Sequence, residues 1–426
     1  MDEAFLHYIW KFQFFDKSDL QTTKGQPLNI IRPGFHNHDA GADFSDSRIL
    51  IDKIEWNGSI EIHVKAKDWY AHQHHDDPAY NGVVLHVVWS SDNGNTKRSD
   101  QTDIPVLELK NRIDLSQFEK YRKLTNGRER ILCKCFISSV ERVKIFEAFD
   151  KAVVARLQRK ANEILIRYRK NKKDWEETCF QILAGNFGFK VNKESFLSLA
   201  EAVPFKIMQK HSDNLIQIEA ILFGIAGFLD RDIDDTYYNV LKKEYHFLKS
   251  KYGFSSYLGR QNFKFLRLRP ANFPTIRIAQ LAKLISIHQN IFSMLIHTRD
   301  TKKLIENFSI TQSDYWLDHY DFDKKAKSRI GSLGRSGISN ILINTVAPML
   351  AAYSIEKDEP FYLDHAQVVL QNLNAEKNNI TEEWSDAGVH IDTAFDSQAC
   401  IELLNEYCQK KRCLECSMGI DILQPN

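Results

Sequence analysis

No stretch of this chain approaches the roughly 18 consecutive apolar residues that a membrane-spanning helix needs, so no membrane partner is expected. Excess charge is also missing. Against 57 Lys and Arg stand 56 Asp and Glu, a formal net charge of +1. So even a balance gives no whole-molecule attraction to nucleic acid or to an anionic surface, and any basic surface has to be local. The opening MDEAFLHYIWKFQFF is acidic before it is apolar and lacks the basic n-region of a secretory signal. The seven cysteines are odd in number and bunch toward the C-terminus, which argues against a disulfide framework and for a reducing cytoplasm. Internal repeats and low-complexity linkers are absent too.

What is present fits a globular protein of two or three domains. At 426 residues with 43% apolar and 27% charged side chains, the chain can bury a sizeable core. Residues 1–112 read as α+β. Phe5, Leu6, Ile9, Trp10 and Phe14 fit one face of a helix. Short β-like runs follow, PLNIIRPG, FSDSRILI with KIEWNGSIEIHVK, VVLHVVW and IPVLEL, and SSDNGN before the last reads as a hairpin turn. From residue 113 the texture becomes helical, as in ERVKIFEAFDKAVVARLQRKANEILIRYRK and NLIQIEAILFGIAGFL. GISNILINTVAPMLAAYS gives another helix that Pro348 should kink or split. The expected class is α+β: a small mixed sheet domain over 1–112, then a larger all-helical domain over 113–426.

The stretch GADFSDSRILIDKIEWNGSIEIHVK raises a physical question, because it places Asp43, Glu61 and His63 in a hairpin where apolar side chains pack more cheaply. A two-residue turn at Asp52-Lys53 pairs Ile51 with Ile54 and puts Asp43 on the face opposite Glu61 and His63. One extra residue in the second strand, at a bulge on Gly58, pairs Asp43 with His63 instead. Asp43, Glu61 and His63 then share one face, and Phe44 joins Ile60, Ile62 and Val64 on the other.

Two carboxylates held this way suit a divalent cation that activates water against a phosphate. The order helix, strand, acid-bearing strand, E-x-H strand, helix, strand over residues 4–89 resembles the PD-(D/E)XK nucleases. That resemblance implies Mg²⁺ or Mn²⁺ on Asp43 and Glu61, with His63 in the position of the usual lysine and Lys65 one same-face step on. A rival set lies in WYAHQHHDDPAYNGVVLHVVW, where His72, His74, Asp77 and His86 follow His63 closely and suit Zn²⁺ or Mn²⁺. Within it, His75 and Asp76 read as solvated loop, and His86 equally as a hydrogen-bonded residue of a central strand. GFHNHDAGADF, WNGSIEIHVKAKDW, HDDPAYNGVVLHVV, RPANFPTIRIAQLA and EYCQKKRCLECSMGI resemble an uncharacterised bacterial family, domain-of-unknown-function family 2851, which brings no activity with it. The expectation is a metal-dependent nuclease; the alternative is a non-catalytic nucleic-acid-binding or scaffold protein with a nuclease-like shell. DNA or RNA is the expected partner, and oligomeric state stays open.

Two further groups stand out. CIELLNEYCQKKRCLECSMGI holds Cys400, Cys408, Cys413 and Cys416, soft ligands suited to zinc or an iron–sulfur cluster. Cys408, Cys413 and Cys416 supply three positions. Cys400 lies roughly 12 Å from Cys408 along a straight helix, and Cys133 or Cys135, in ILCKCFI, is the other choice for the fourth. The basic run KAVVARLQRKANEILIRYRKNKK, with Arg167, Arg169 and Lys170 near its end, reads as a phosphate-tracking helix or as a solvated face.

Overall fold

The computed structural model describes residues 1–37, 39–92 and 95–425. It opens with helix α1 (Glu3–Phe12), capped by Asp2, whose carboxylate accepts the Phe5 N–H at 2.9 Å. Phe5, Leu6, Ile9 and Trp10 are fully buried, the face read from their spacing. Strands β1 (Leu28–Arg32), β2 (Phe35–His36), β3 (Phe44–Ile51) and β4 (Ile54–Lys65) follow. Then come the single turn α2 (Asp68–Ala71) and strands β5 (Val83–Ser90), β6 (Thr96–Lys97), β7 (Asp103–Ile104) and β8 (Val106–Glu108).

The main sheet runs β1-β3-β4-β5-β8, with β2 paired to β3. The pairs β1/β3 and β3/β4 are antiparallel, whereas β4/β5 and β5/β8 are parallel. A strand flanked by parallel neighbours is covered on both faces, and Val83 through Val88 of β5 are all buried. Because β5 and β8 run parallel, SSDNGN does not close a hairpin between them; its Asn93 and Gly94 lie outside the described residues. The short hairpin here is β6/β7.

The β3–β4 turn falls at Asp52-Lys53, as the pattern predicts. Both residues are left-handed (φ 48° and 68°), and Ile51 pairs with Ile54. The bulge exists but on the other strand. Ser47 pairs with Gly58 and Phe44 with Ile60, so the extra residue lies in β3, where Asp46 takes φ 53° and its carbonyl accepts the Arg32 Nε–H at 2.7 Å. The expected pairing of Asp43 with His63 is therefore replaced by one in which Asp43 meets Glu61 and Ile62. Gly58 matters for another reason. A Cβ there would stand 2.5 Å from the Gly82 carbonyl oxygen and from Val84. Its missing side chain lets the start of β5 lie against β4.

The chain divides into two compact units, and the division does not fall at residue 112. The first comprises 1–148, 383–389 and 403–426; the second comprises 149–382 and 390–402. Helix α3 (Leu115–Asn126) belongs to the first unit, while α4 (Arg142–Lys170) passes from one to the other. The second unit is helical. Its α5 (Trp175–Phe187) packs on α6 (Phe189–Glu201), α7 (Phe205–Lys210) meets α5, and α8 (Leu215–Ile225) packs on α9 (Thr236–Tyr252) and α10 (Pro274–Ile287). Pro348 does not end its helix, which runs on from Arg335 to Lys357. Residues Leu342–Val346 take up the lost hydrogen bond as a π segment between Arg335–Ile341 and Ala347–Lys357. The whole helix, Arg335–Lys357, is long and apolar enough to cross a membrane, although no uninterrupted apolar run in it is; 72% of its apolar window is buried within the protein.

Candidate metal centre

All the residues of the candidate centre belong to the first unit. Asp43, just before β3, is tied to β4 twice. Its carboxylate accepts the Ile62 N–H at 2.8 Å, and its own N–H donates to Glu61 Oε2 at 3.1 Å. From α1, His7 brings Nε2 to 3.3 Å from Asp43 Oδ2. That nitrogen is buried and has no hydrogen-bond partner. Glu3, one turn earlier on the same face, joins His7 and Asp43 in a group whose donor atoms all lie within 4.8 Å of one another.

A second group of three lies beside it: His63, His72 and His74. The turn after α2 builds it. The N–H of His74 bonds the Trp69 carbonyl, and Gln73 between the two histidines is left-handed (φ 61°). Stacking on Tyr80, with ring centroids 3.8 Å apart, fixes the His74 ring. Glu61 connects the groups. Its Oε1 lies 3.1 Å from His74 Nε2 and 3.6 Å from His63 Nε2, while its Oε2 accepts from Asp43.

Behind His63 runs a buried hydrogen-bond chain. Its Nδ1 meets His86 Nε2 at 2.8 Å, and His86 Nδ1 meets Thr96 Oγ1 at 3.0 Å. On the outer side His63 Nε2 meets His72 Nδ1 at 3.1 Å. When His86 donates to Thr96 and His63 donates to His86, His63 Nε2 is left as a bare lone pair facing Glu61, His72 and His74. Metal-bound histidines have this arrangement, with the distal N–H held by a second residue.

The electrostatics lack a cation. Burial, then the neighbouring Asp43, pushes the Glu61 carboxyl up to about 8. Burial also raises Glu3. Burial and the adjacent His72 and His74 lower His63 to about 3, and burial takes His86 well below the ordinary histidine value. His63 is thus neutral and cannot supply the positive charge of a lysine. Among the described residues, the ion-pair partners of Asp43 and Glu61 are histidines. A buried His7 nitrogen that touches Asp43 without a hydrogen bond, a carboxyl whose protonated form burial favours and the neutral His63 facing it are what a metal ion would relieve. The donor set fits one.

The other expected residues fall elsewhere. Lys65 is exposed at the end of β4, on the strand face of Glu61 and His63. Asp77 caps the short helix Pro78–Tyr80 through the Ala79 N–H at 2.9 Å. His75 pairs with exposed Asp76 in the loop. The pattern of α1 does not single out Glu3 and His7; their trace in it is two metal-binding residue types four apart on its polar side. In the second unit, much of the charge on α4 is spent internally. Arg159 pairs with buried Glu402 at 2.6 Å, and both Arg167 and Lys170 reach Glu201. Arg167 also donates to Gln181 at 3.0 Å. Arg169 is exposed and forms no ion pair among the described residues.

A mixed sheet backed by a helix, with carboxylates and imidazoles gathered at its middle strands, defines a candidate metalloprotein site. The family model described as "Protein of unknown function (DUF2851)" matches residues 3–379, and the chain belongs to that family. The matched span holds every residue of the candidate centre, whereas Cys408, Cys413 and Cys416 lie beyond it. Neither the comparison with curated proteins nor that with solved structures returns a match.

Proposed function

We propose that this protein is a metal-dependent hydrolase of phosphodiesters, a nuclease in the broad sense, centred on Asp43, Glu61 and His63. One observation carries the reading: Glu61 reaches His63 and His74 of the three-histidine group and accepts from Asp43, which stands with Glu3 and His7 in the neighbouring group, and both carboxylates have histidines as their ion-pair partners. The phosphodiester class rests on the strand order. We take the order of helix α1, antiparallel β1, β3 and β4, then α2 and a β5 parallel to β4 as similar to that of the PD-(D/E)XK nucleases, with Asp43 just before β3 and Glu61 on β4.

The donors modify the expected metal. Mg²⁺ favours oxygen ligands and keeps its waters, while imidazoles beside carboxylates suit Zn²⁺ or Mn²⁺. A metal bound here supplies Lewis-acid polarisation of a phosphoryl oxygen and a hydroxide at neutral pH. The chain's own residues do the rest. His86 and Thr96 orient the His63 ring, Tyr80 holds His74, and Lys65 is the cation left for phosphate in place of the neutral His63.

Incubation of the full chain with single-stranded DNA, duplex DNA and RNA in Mn²⁺ or Zn²⁺ tests the reading. Cleavage is expected with metal, none in chelator, and none from Asp43→Asn. A second reading is favoured by one feature: Glu61 and His63 are only 4% and 1% exposed. A site so covered holds its metal structurally, in a non-catalytic nucleic-acid-binding or scaffold protein. Metal uptake without cleavage of any of these substrates selects it.

A further inference from the structure

Four cysteines meet in the first unit, away from the candidate centre. Cys133 precedes the short helix Lys134–Ser139, and Cys408 ends the π-helical segment Leu403–Cys408. Cys413 opens the short helix Cys413–Glu415, and Cys416 precedes the helix Ser417–Leu423. All four line one cavity of about 20 Å³, whose other walls include Leu124, Leu132 and Met418. Cys133 and Cys413 are buried; exposed Cys135 does not line the cavity, and Cys400 belongs to the second unit.

The surroundings are built rather than incidental. Gly419 packs so closely on the Cys413 carbonyl that no Cβ fits there. The Ile420 N–H bonds the Cys416 carbonyl at 2.8 Å, the first-turn bond of the last helix, which starts directly after Cys416. Burial and the neighbouring thiols push Cys408 and Cys413 up to about 12 and Cys133 well above the ordinary thiol value.

We propose that Cys133, Cys408, Cys413 and Cys416 hold a four-iron, four-sulfide cluster. The choice against zinc is geometric. Tetrahedral zinc, with each sulfur at about 2.3 Å, brings the four sulfurs within about 4 Å of one another. The cysteines are not among the described groups whose donor atoms all lie within 4.8 Å of one another; they ring a cavity rather than a point. In a cluster each thiolate binds a different iron, which spreads the sulfurs more widely. The spacing of four residues between Cys408 and Cys413 and two between Cys413 and Cys416 lets one short segment serve three irons.

Loading is ligand exchange on a preassembled cluster. Four iron–thiolate bonds to the donor break and four to this chain form. The four thiol protons pass to the displaced donor ligands, and no oxidation state changes. The cluster clasps residue 133 to a segment beginning 275 positions later (408 minus 133), both within the first unit.

Full-length protein isolated anaerobically should carry about four iron and about four acid-labile sulfide per chain, with a brown visible absorbance. Cys135→Ser should keep both, and Cys413→Ser should lose most of both. If Cys413→Ser does not fold, the iron and sulfide content of the native chain decides alone. One zinc per chain without labile sulfide overturns the proposal. So does a native chain that carries neither and takes up neither when offered a preassembled four-iron, four-sulfide cluster with exchangeable thiolate ligands. Neither outcome bears on phosphodiester cleavage, which is read separately with substrate.

Discussion

In the metal-free protein Glu61 and His63 pull stability in opposite directions with pH. Burial and Asp43 raise the Glu61 carboxyl from 4.5 to about 8. Between those values the folded chain holds a proton that the unfolded chain has lost, so stability falls as pH rises. His63 is lowered from 6.5 to about 3. Below 6.5 the unfolded chain takes up a proton that the fold refuses, so stability falls as pH drops; buried His86 and half-buried His74, both lowered, add to that limb. Urea midpoints of chelator-treated protein should therefore peak near pH 6.5 and decline toward pH 8, and saturating Mn²⁺ should remove the decline. Asp43→Asn keeps an oxygen for the Ile62 N–H and should cost under about 1 kcal/mol, while Asp43→Ala orphans that N–H for about 1–3 kcal/mol. Either should end the thermal response to Mn²⁺. The common face of Asp43, Glu61 and His63 was legible because strand side chains alternate with a period of two. Glu3 and His7 were not, since a helix read for its apolar side hides what the other side faces.

At the scale of elements, the hairpin shows how a right conclusion can sit on a misplaced detail. An odd residue somewhere between Phe44 and Ile60 was needed to reconcile the apolar pattern with the polar cluster, and sequence offered Gly58 as the obvious place. Asp46 takes the bulge instead, because an aspartate tolerates the left-handed conformation and Gly58 is occupied by the close approach of Gly82 and Val84. Gly58→Ala should accordingly cost about 1–3 kcal/mol in denaturant titration through that clash rather than through turn geometry. The basic run of α4 was legible as a helix but not in its pairing, since Glu201 and Glu402 lie far along the chain. Arg167→Glu should lose about 1 kcal/mol by facing Glu201. Arg169→Glu should change stability by less than about 0.5 kcal/mol and lower the salt slope of any nucleic-acid binding by about 1.

At the scale of the molecule, the sheet and the long helices were legible from periodicity, but the division into units was not. Residues 383–389 and 403–426 return to the first unit, a long-range choice that no local pattern encodes. That return brings Cys408, Cys413 and Cys416 to Cys133, a convergence sequence could only leave open among three partners. The central claim, a metal held by Glu61 and the histidines around His63, is tested most directly by Mn²⁺ titration of the chelated full chain, reading free ion by electron paramagnetic resonance. His72 is exposed, so His72→Ala removes a donor without disturbing the core. The expected result is at least one tightly bound Mn²⁺ per chain, with affinity reduced about tenfold or more in His72→Ala at an unchanged melting temperature. A native chain that leaves all the Mn²⁺ free, or a His72→Ala chain that binds it equally well, would contradict the claim.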